Sequence, residues 1–166
     1  VGKDEWKRRY HLVVTAQDRE GLGNLFTLIK RAYTEGFYRY PRIDFNLLKQ
    51  HGRGLNVSTA CLGGIYSNRI MRGNAMKKSD EEIQQELMWL SERFVDCVGE
   101  ENFYLELQFN RLKQQHLVNH HLLRHADKSG VKCIATPDSH YYSPDKWEAR
   151  ELYKKLGWMG NDPSPL

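Results

Sequence analysis

Apolar and polar positions follow two rhythms along this chain, a short strand-like one and a longer helical one, and the two take turns. Positions 11–15 read His-Leu-Val-Val-Thr, a strand. Leu22, Leu25, Ile29 and Ala32 then recur at helical spacing, with Gly36 as a stop. A turn-rich stretch holding Tyr38, Tyr40 and Pro41 leads to a short helix over 44–50 and a strand over 55–58. Positions 62–78 give no clear period, and Gly63-Gly64 and Gly73-Asn74 read there as turns. Ser79 with Glu82 makes a capping box, followed by the apolar stripe Ile83, Leu87, Leu90 and Phe94. A strand over 103–107, a helix over 113–129 ended by Gly130, and a strand over 131–136 complete the alternation. Ser143-Pro144-Asp145 then caps a last helix through Ala149, Leu152 and Leu156.

Strands separated by helices predict an α/β fold with parallel strands, because each helix returns the chain to the same end of the sheet. Chemistry in such folds gathers at the C-terminal ends of the strands. Cys61 and the pair Asp138 and His140 all follow strands, so they are candidates to converge there.

Composition narrows the class. The chain has 166 residues, 40% hydrophobic and 28% charged, enough for one soluble domain with its own core. No apolar run approaches the roughly 18 residues of a membrane span, and the opening Val1-Gly-Lys-Asp-Glu has no signal-peptide core. A cytoplasmic protein without a membrane partner is expected. The opening also lacks Met, which fits a piece of a longer chain. The net charge of +4 permits contact with phosphates without demanding it, and Lys7-Arg8-Arg9 reads as a solvated edge. Three scattered cysteines without a CxxC pair point to a reducing compartment. Cys97 and Cys133 fall on apolar stripes and are expected in the core.

Asp138-x-His140 offers a carboxylate and an imidazole, a common pair for first-row metals, although the same string also reads as a turn with an Asp cap. The run His116, His120, His121 and His125 resembles a two-histidine metal face. Its helix also needs Val118, Leu122 and Ala126 for packing and lacks the glutamate of His-Glu-x-x-His, so a surface or flank helix is expected. Glu106 points away from Leu105 and Leu107 on its strand, either to support ligands or to form an interior ion pair.

A series of strings, in order and similarly spaced, carries a family resemblance. They are Tyr10-His11-Leu-Val-Val-Thr-Ala16, Gly21-x-x-Asn24-Leu25, Arg31-Ala-Tyr-Thr-Glu-Gly-Phe-Tyr38 with Pro41-Arg-Ile-Asp44, Gly54-Leu55, Cys61-Leu-Gly-Gly64, Phe103-Tyr-Leu-Glu-Leu-Gln108 and Ala135-Thr-Pro-Asp-Ser-His-Tyr141. From about residue 9 to about residue 156 the chain resembles the polymerase-and-histidinol-phosphatase (PHP) domain of bacterial and phage C-family replicative DNA polymerases. The resemblance implies a distorted (β/α)7 barrel, incomplete here. Residues 1–157 would be the C-terminal two-thirds of the domain, and 158–166 a linker towards a polymerase palm. It also implies a cluster of divalent metal ions (zinc, manganese or magnesium) with His11, Cys61, Asp138 and His140 as ligands. The family's earlier ligand motifs would belong to an upstream segment.

The activity implied is that of a DNA-directed DNA polymerase, a nucleotidyltransferase of replication, with a 3′–5′ exonuclease possible in the intact parent. DNA and other replisome subunits are the implied partners. A stand-alone metal-dependent phosphoesterase and a metal-free interaction module are the alternatives. The Gly36-Phe-Tyr to Pro41-Arg-Ile-Asp44 segment, typical of the polymerase form, disfavours the first of these. The chain departs from the family at Thr59-Ala60, where Ser-Gly is common, at Pro137, where Asn is common, and at Arg150-Glu151, where His-Glu is common.

Overall fold

The computed structural model describes residues 9–157, so the segment 158–166 expected as a linker lies outside the described residues, as do Lys7 and Arg8. The chain divides into two units, Val1–Thr136 and Pro137–Leu166.

The first unit runs β1 (Val13–Ala16), α1 (Arg19–Thr34), α2 (Phe45–His51), β2 (Leu55–Ser58), α3 (Ile65–Ala75), α4 (Asp80–Val98), β3 (Phe103–Gln108), α5 (Lys113–Ser129) and β4 (Lys132–Thr136). The strands form one sheet in the order β1-β2-β3-β4. β2, β3 and β4 are parallel, as the alternation predicts, but β1 is antiparallel to β2. The first connection, α1 and α2 packed on each other, brings the chain back into the sheet at the end where β1 leaves it: Ala16 pairs with Leu55, and Gln17 N donates to Gly54 O at 2.9 Å.

Local signals account for most boundaries. Asp18 and Asp44 cap α1 and α2 by accepting from Gly21 N and Leu47 N. Ser79 and Glu82 form the reciprocal capping box of α4. Gly130, in the left-handed region at φ 76°, ends α5. The helix α3 runs through Gly73, which reads in the sequence as a turn. That glycine is instead a contact point, where a Cβ would come within 2.7 Å of the Ile83 side chain on α4.

One face of the sheet supplies the core. Leu55, Val57, Phe103, Leu105 and Leu107 pack with Tyr66, Ile70, Leu87, Leu90, Phe94, Val118 and Leu122 from the helices. Burying such a side chain fully stabilises the fold by about 1.5–3 kcal/mol. The opposite face is polar, carrying Ser58, Glu106 and Thr136 by strand alternation.

Two packing expectations are corrected, and the buried face of one helix is defined. Cys133 is exposed, because β4 is an edge strand and helix cover ends at its fully buried partner Leu105. His121 and His125 are buried, since the inward face of α5 includes them with Val118 and Leu122, and only His116 and His120 face water. On α1 the buried face is Leu28 and Ala32, which leaves Leu22, Phe26, Ile29 and Tyr33 exposed.

His125, fully enclosed, sits in a polar chain that links three helices. Its Nδ1 donates to Gln84 Oε1 at 3.2 Å, which leaves Nε2 to accept from Ser91 Oγ at 2.7 Å. Ser91 in turn accepts from the Tyr66 hydroxyl at 2.8 Å. Burial pushes the His125 imidazole down to about 4, with Lys128 acting in the same direction. Burial also drives the Tyr66 phenol well above its usual value, against its bond to Ser91.

In the second unit a single helical turn, Pro144–Lys146, leads into α6 (Trp147–Gly157). No helix among the described residues is long and apolar enough to cross a membrane.

Candidate metal centre

The antiparallel course of β1 decides where His11 lies. The N-terminal end of β1 adjoins the C-terminal end of β2, with Val13 opposite Ser58. His11 precedes β1 and bridges to Gly64, its amide donating to Gly63 O at 2.9 Å. Its Nδ1 comes to 3.2 Å from Cys61 Sγ. Two of the four expected ligands, 50 residues apart in sequence, thus meet.

Cys61 is held by its loop. Its carbonyl accepts from Gly64 N at 2.8 Å and from Ser67 Oγ at 3.0 Å. Gly63 N points at its sulfur from 3.4 Å. Gly64 must be glycine, because a Cβ there would stand 2.2 Å from Thr59 O. The departure from Ser-Gly falls on Ala60, which takes φ 58°. That conformation costs an alanine about 1 kcal/mol, so the loop keeps the turn that a glycine would adopt freely.

Beside this loop lies Glu106, 6% exposed. Its Oε2 accepts from Ser58 Oγ at 2.5 Å, and its Oε1 from Thr136 Oγ1 at 2.6 Å and Gln108 Nε2 at 3.2 Å. Its own amide donates to Thr59 Oγ1 at 2.8 Å. Burial pushes the carboxyl pKa up, but the bonds from Ser58, Thr136 and Gln108, with the nearby charge of His11, bring it below the usual carboxylate range. Gln108 Oε1 is itself buried without a partner, so the amide orientation is fixed by what its nitrogen gives Glu106. Of the two roles open to Glu106, the ion pair is not the one observed. Strand alternation pointed to Glu106, but nothing in the sequence marked Ser58, Gln108 or Thr136.

Asp138 and His140 belong to the second unit. Asp138 takes φ 51°, a left-handed turn that short polar side chains tolerate. Its carbonyl accepts from His140 Nδ1 at 2.7 Å. That bond assigns the proton to Nδ1 and leaves the Nε2 lone pair for a metal. The carbonyl role of Asp138 also joins the two candidates by backbone rather than by side chain. Among the described residues no three His, Cys, Asp or Glu side chains form a metal-binding group. The pair His11 and Cys61 nonetheless fits a divalent ion in chemistry, offering nitrogen and sulfur donors close enough to share one.

The basic edge keeps one described member, Arg9, whose guanidinium lies 3.5 Å from the centre of the Tyr40 ring. Tyr141 and Tyr142 are exposed.

Comparison with known proteins agrees with the strings read above. The chain is similar to the DNA polymerase III subunit alpha of Aquifex aeolicus (strain VF5), 43% identical over 152 residues, 90% of this chain and 12% of that protein. It is 34% identical over 153 residues to the DNA polymerase III subunit alpha of Helicobacter pylori (strain ATCC 700392 / 26695), 92% of this chain and 13% of that one. The subunit alpha of Borreliella burgdorferi (strain ATCC 35210 / DSM 4680 / CIP 102532 / B31) is 33% identical over 154 residues, 93% of this chain and 13% of the relative. The chain therefore spans about one eighth of the length of these relatives. The PHP domain family model matches residues 2–110, a stretch that holds β1, His11, the Cys61 loop and Glu106, and on that match the chain belongs to the PHP domain family.

Proposed function

We propose that this chain serves as the PHP portion of a replicative DNA polymerase alpha subunit. In the whole protein it supports template-directed DNA synthesis, and His11, Cys61, Asp138 and His140 help to hold divalent metal for 3′–5′ phosphodiester hydrolysis. The observation that carries the proposal is the 3.2 Å approach of His11 Nδ1 to Cys61 Sγ, in a chain resembling alpha subunits over nine-tenths of its length. Zinc, manganese or magnesium bound there would supply Lewis acidity towards a phosphate ester.

The chain's own residues do the positioning. Gly63 and Gly64 hold Cys61 in its loop, the bridge to Gly64 fixes His11, and the Asp138 carbonyl orients the His140 ring. DNA is bound through the remainder of the polymerase, with other replisome subunits as partners and the cytoplasm as the setting. An upstream PHP segment completes the ligand set. The flank of β1 would receive it, since among the described residues β1 is an edge strand, beside a cleft of about 1250 Å³ lined in part by Leu12, Val14, Ile29, Tyr33 and Phe45.

Hydrolysis of a 3′-end-labelled DNA duplex with added manganese or zinc tests the proposal. The whole polymerase is expected to release nucleotides, and Cys61→Ser or His140→Ala to abolish release. The 166-residue chain by itself is expected to be inactive, since it supplies only part of the ligand set. A parent polymerase whose metal-dependent hydrolysis survives both substitutions would remove these residues from the site. Turnover of histidinol phosphate by the isolated chain would favour the stand-alone phosphoesterase instead.

A further inference from the structure

Glu106 occupies an unusual position in the sheet. It lies on β3, and its two carboxylate oxygens reach sideways to the last residues of both neighbouring strands, Ser58 of β2 and Thr136 of β4. Each of these residues stands just before a candidate ligand. Ser58 and Thr59 lead through the left-handed Ala60 to Cys61, and Thr136 leads through Pro137 to Asp138. The Glu106 amide adds a second hold, donating to Thr59 Oγ1.

The core could have been built without this carboxylate. A buried charge costs several kcal/mol unless its lone pairs are satisfied, and an apolar residue would have served packing alone. Here three donors satisfy it, and its described hydrogen-bond partners are two hydroxyls and an amide. Only an acceptor with two oxygens can take both strand-end hydroxyls at once while also receiving Gln108.

We propose that Glu106 is a positioning residue: its carboxylate ties together the ends of β2 and β4, fixing the points from which the Cys61 loop and the Asp138 turn depart. The consequence for metal binding rests on the reading given under Proposed function; the hold on Cys61 does not. Through Ser58 and Thr59, Glu106 sets how the sulfur is presented beside His11.

The test uses Glu106→Gln in the 166-residue chain. The amide keeps the shape, and either hydroxyl can rotate to accept from it, but one of the two accepting oxygens is lost. The first readout needs no metal. Alkylation of Cys61 by iodoacetamide is compared with that of exposed Cys133 in the same molecule, by peptide mass spectrometry. The Cys61 to Cys133 rate ratio is expected to rise about fivefold or more as the loop loosens. The second readout is cobalt(II) titration, followed by thiolate-to-cobalt charge transfer. The cobalt concentration for half-saturation is expected to rise about tenfold or more. Ser79→Ala, which weakens a distant helix cap, serves as the stability control and should move neither.

If Glu106→Gln folds poorly, Ser58→Ala removes the β2 arm alone and should raise the same alkylation ratio. An unchanged ratio in the folded variant, or an equal change in the control, overturns the proposal. Cobalt bound equally by wild type and variant with an unchanged ratio would sink the positioning role and leave the metal reading standing. A raised ratio with no cobalt bound by the wild-type chain, nor by the whole polymerase that carries the upstream segment, would sink the metal reading and support the hold on Cys61.

Discussion

Acid should unfold this protein early, and one histidine should account for much of the effect. His125 is neutral and enclosed, donating to Gln84 and accepting from Ser91. An unfolded histidine titrates near about 6.5, whereas burial pushes this one down to about 4. Between those values the unfolded chain binds the proton and the folded one does not, so stability rises with pH through the window. The stability is complete above about 6.5 and is lost as the pH falls towards the folded value. From these two values, His125 alone costs about 2 kcal/mol by about pH 5 and about 3 kcal/mol by about pH 4.

His121 on the same helix is also pushed down, by burial first and then by His120 and Arg124, against Asp80, and it acts in the same direction. The substitution His125→Gln isolates the one ring, since a glutamine can donate to Gln84 and accept from Ser91 without titrating. Urea unfolding of both proteins at about pH 7.5 and about pH 5 gives the comparison, staying above most of the carboxylate range. Wild type should lose about 2 kcal/mol more than the variant over that interval. Equal losses, within about 0.5 kcal/mol, would show that His125 is already protonated in the fold or reached by water, and would refute the assignment.

Other substitutions probe the same framework. Tyr66→Phe removes the donor to Ser91 and should cost about 1 kcal/mol at neutral pH, read by urea unfolding. Gly64→Ala places a Cβ 2.2 Å from Thr59 O; it should destabilise the fold by about 2 kcal/mol and raise the alkylation rate of Cys61. Ser79→Ala breaks the capping box of α4 and should cost about 1 kcal/mol, seen as a lower urea midpoint with unchanged slope.

Much of the fold was legible because it is written locally. The Ser79 and Glu82 box, the Gly130 stop and the β2 run 55–58 each lie within a few residues of what they specify. What stayed hidden depends on distant partners. Gly73 lies inside a helix where it meets Ile83 of the next one, and the antiparallel direction of β1 shows only in its pairing with β2. His125 looks like a surface polar residue until Ser91 and Gln84 arrive from α4. At the candidate site, His11 and Cys61 could be named from a family resemblance, but only the strand direction explains how they meet. Asp138 and His140 were visible as a motif, whereas the hydroxyls around Glu106 carry no signature, being single Ser and Thr residues at strand ends.

The reach of Glu106 also bears on where this protein can be cut. The family match ends at residue 110, yet Thr136, one of the three donors to the Glu106 carboxylate, lies outside it, 30 residues beyond Glu106 in sequence. A chain stopped at 110 would keep Ser58 and Gln108 against the charge but lose the β4 arm, and with it Val118, Leu122 and His125 of α5. During synthesis the same shortage is temporary: Glu106 leaves the ribosome well ahead of Thr136 and remains under-satisfied until the last strand arrives. The smallest self-sufficient piece therefore extends through β4, and its final strand acts as the latch.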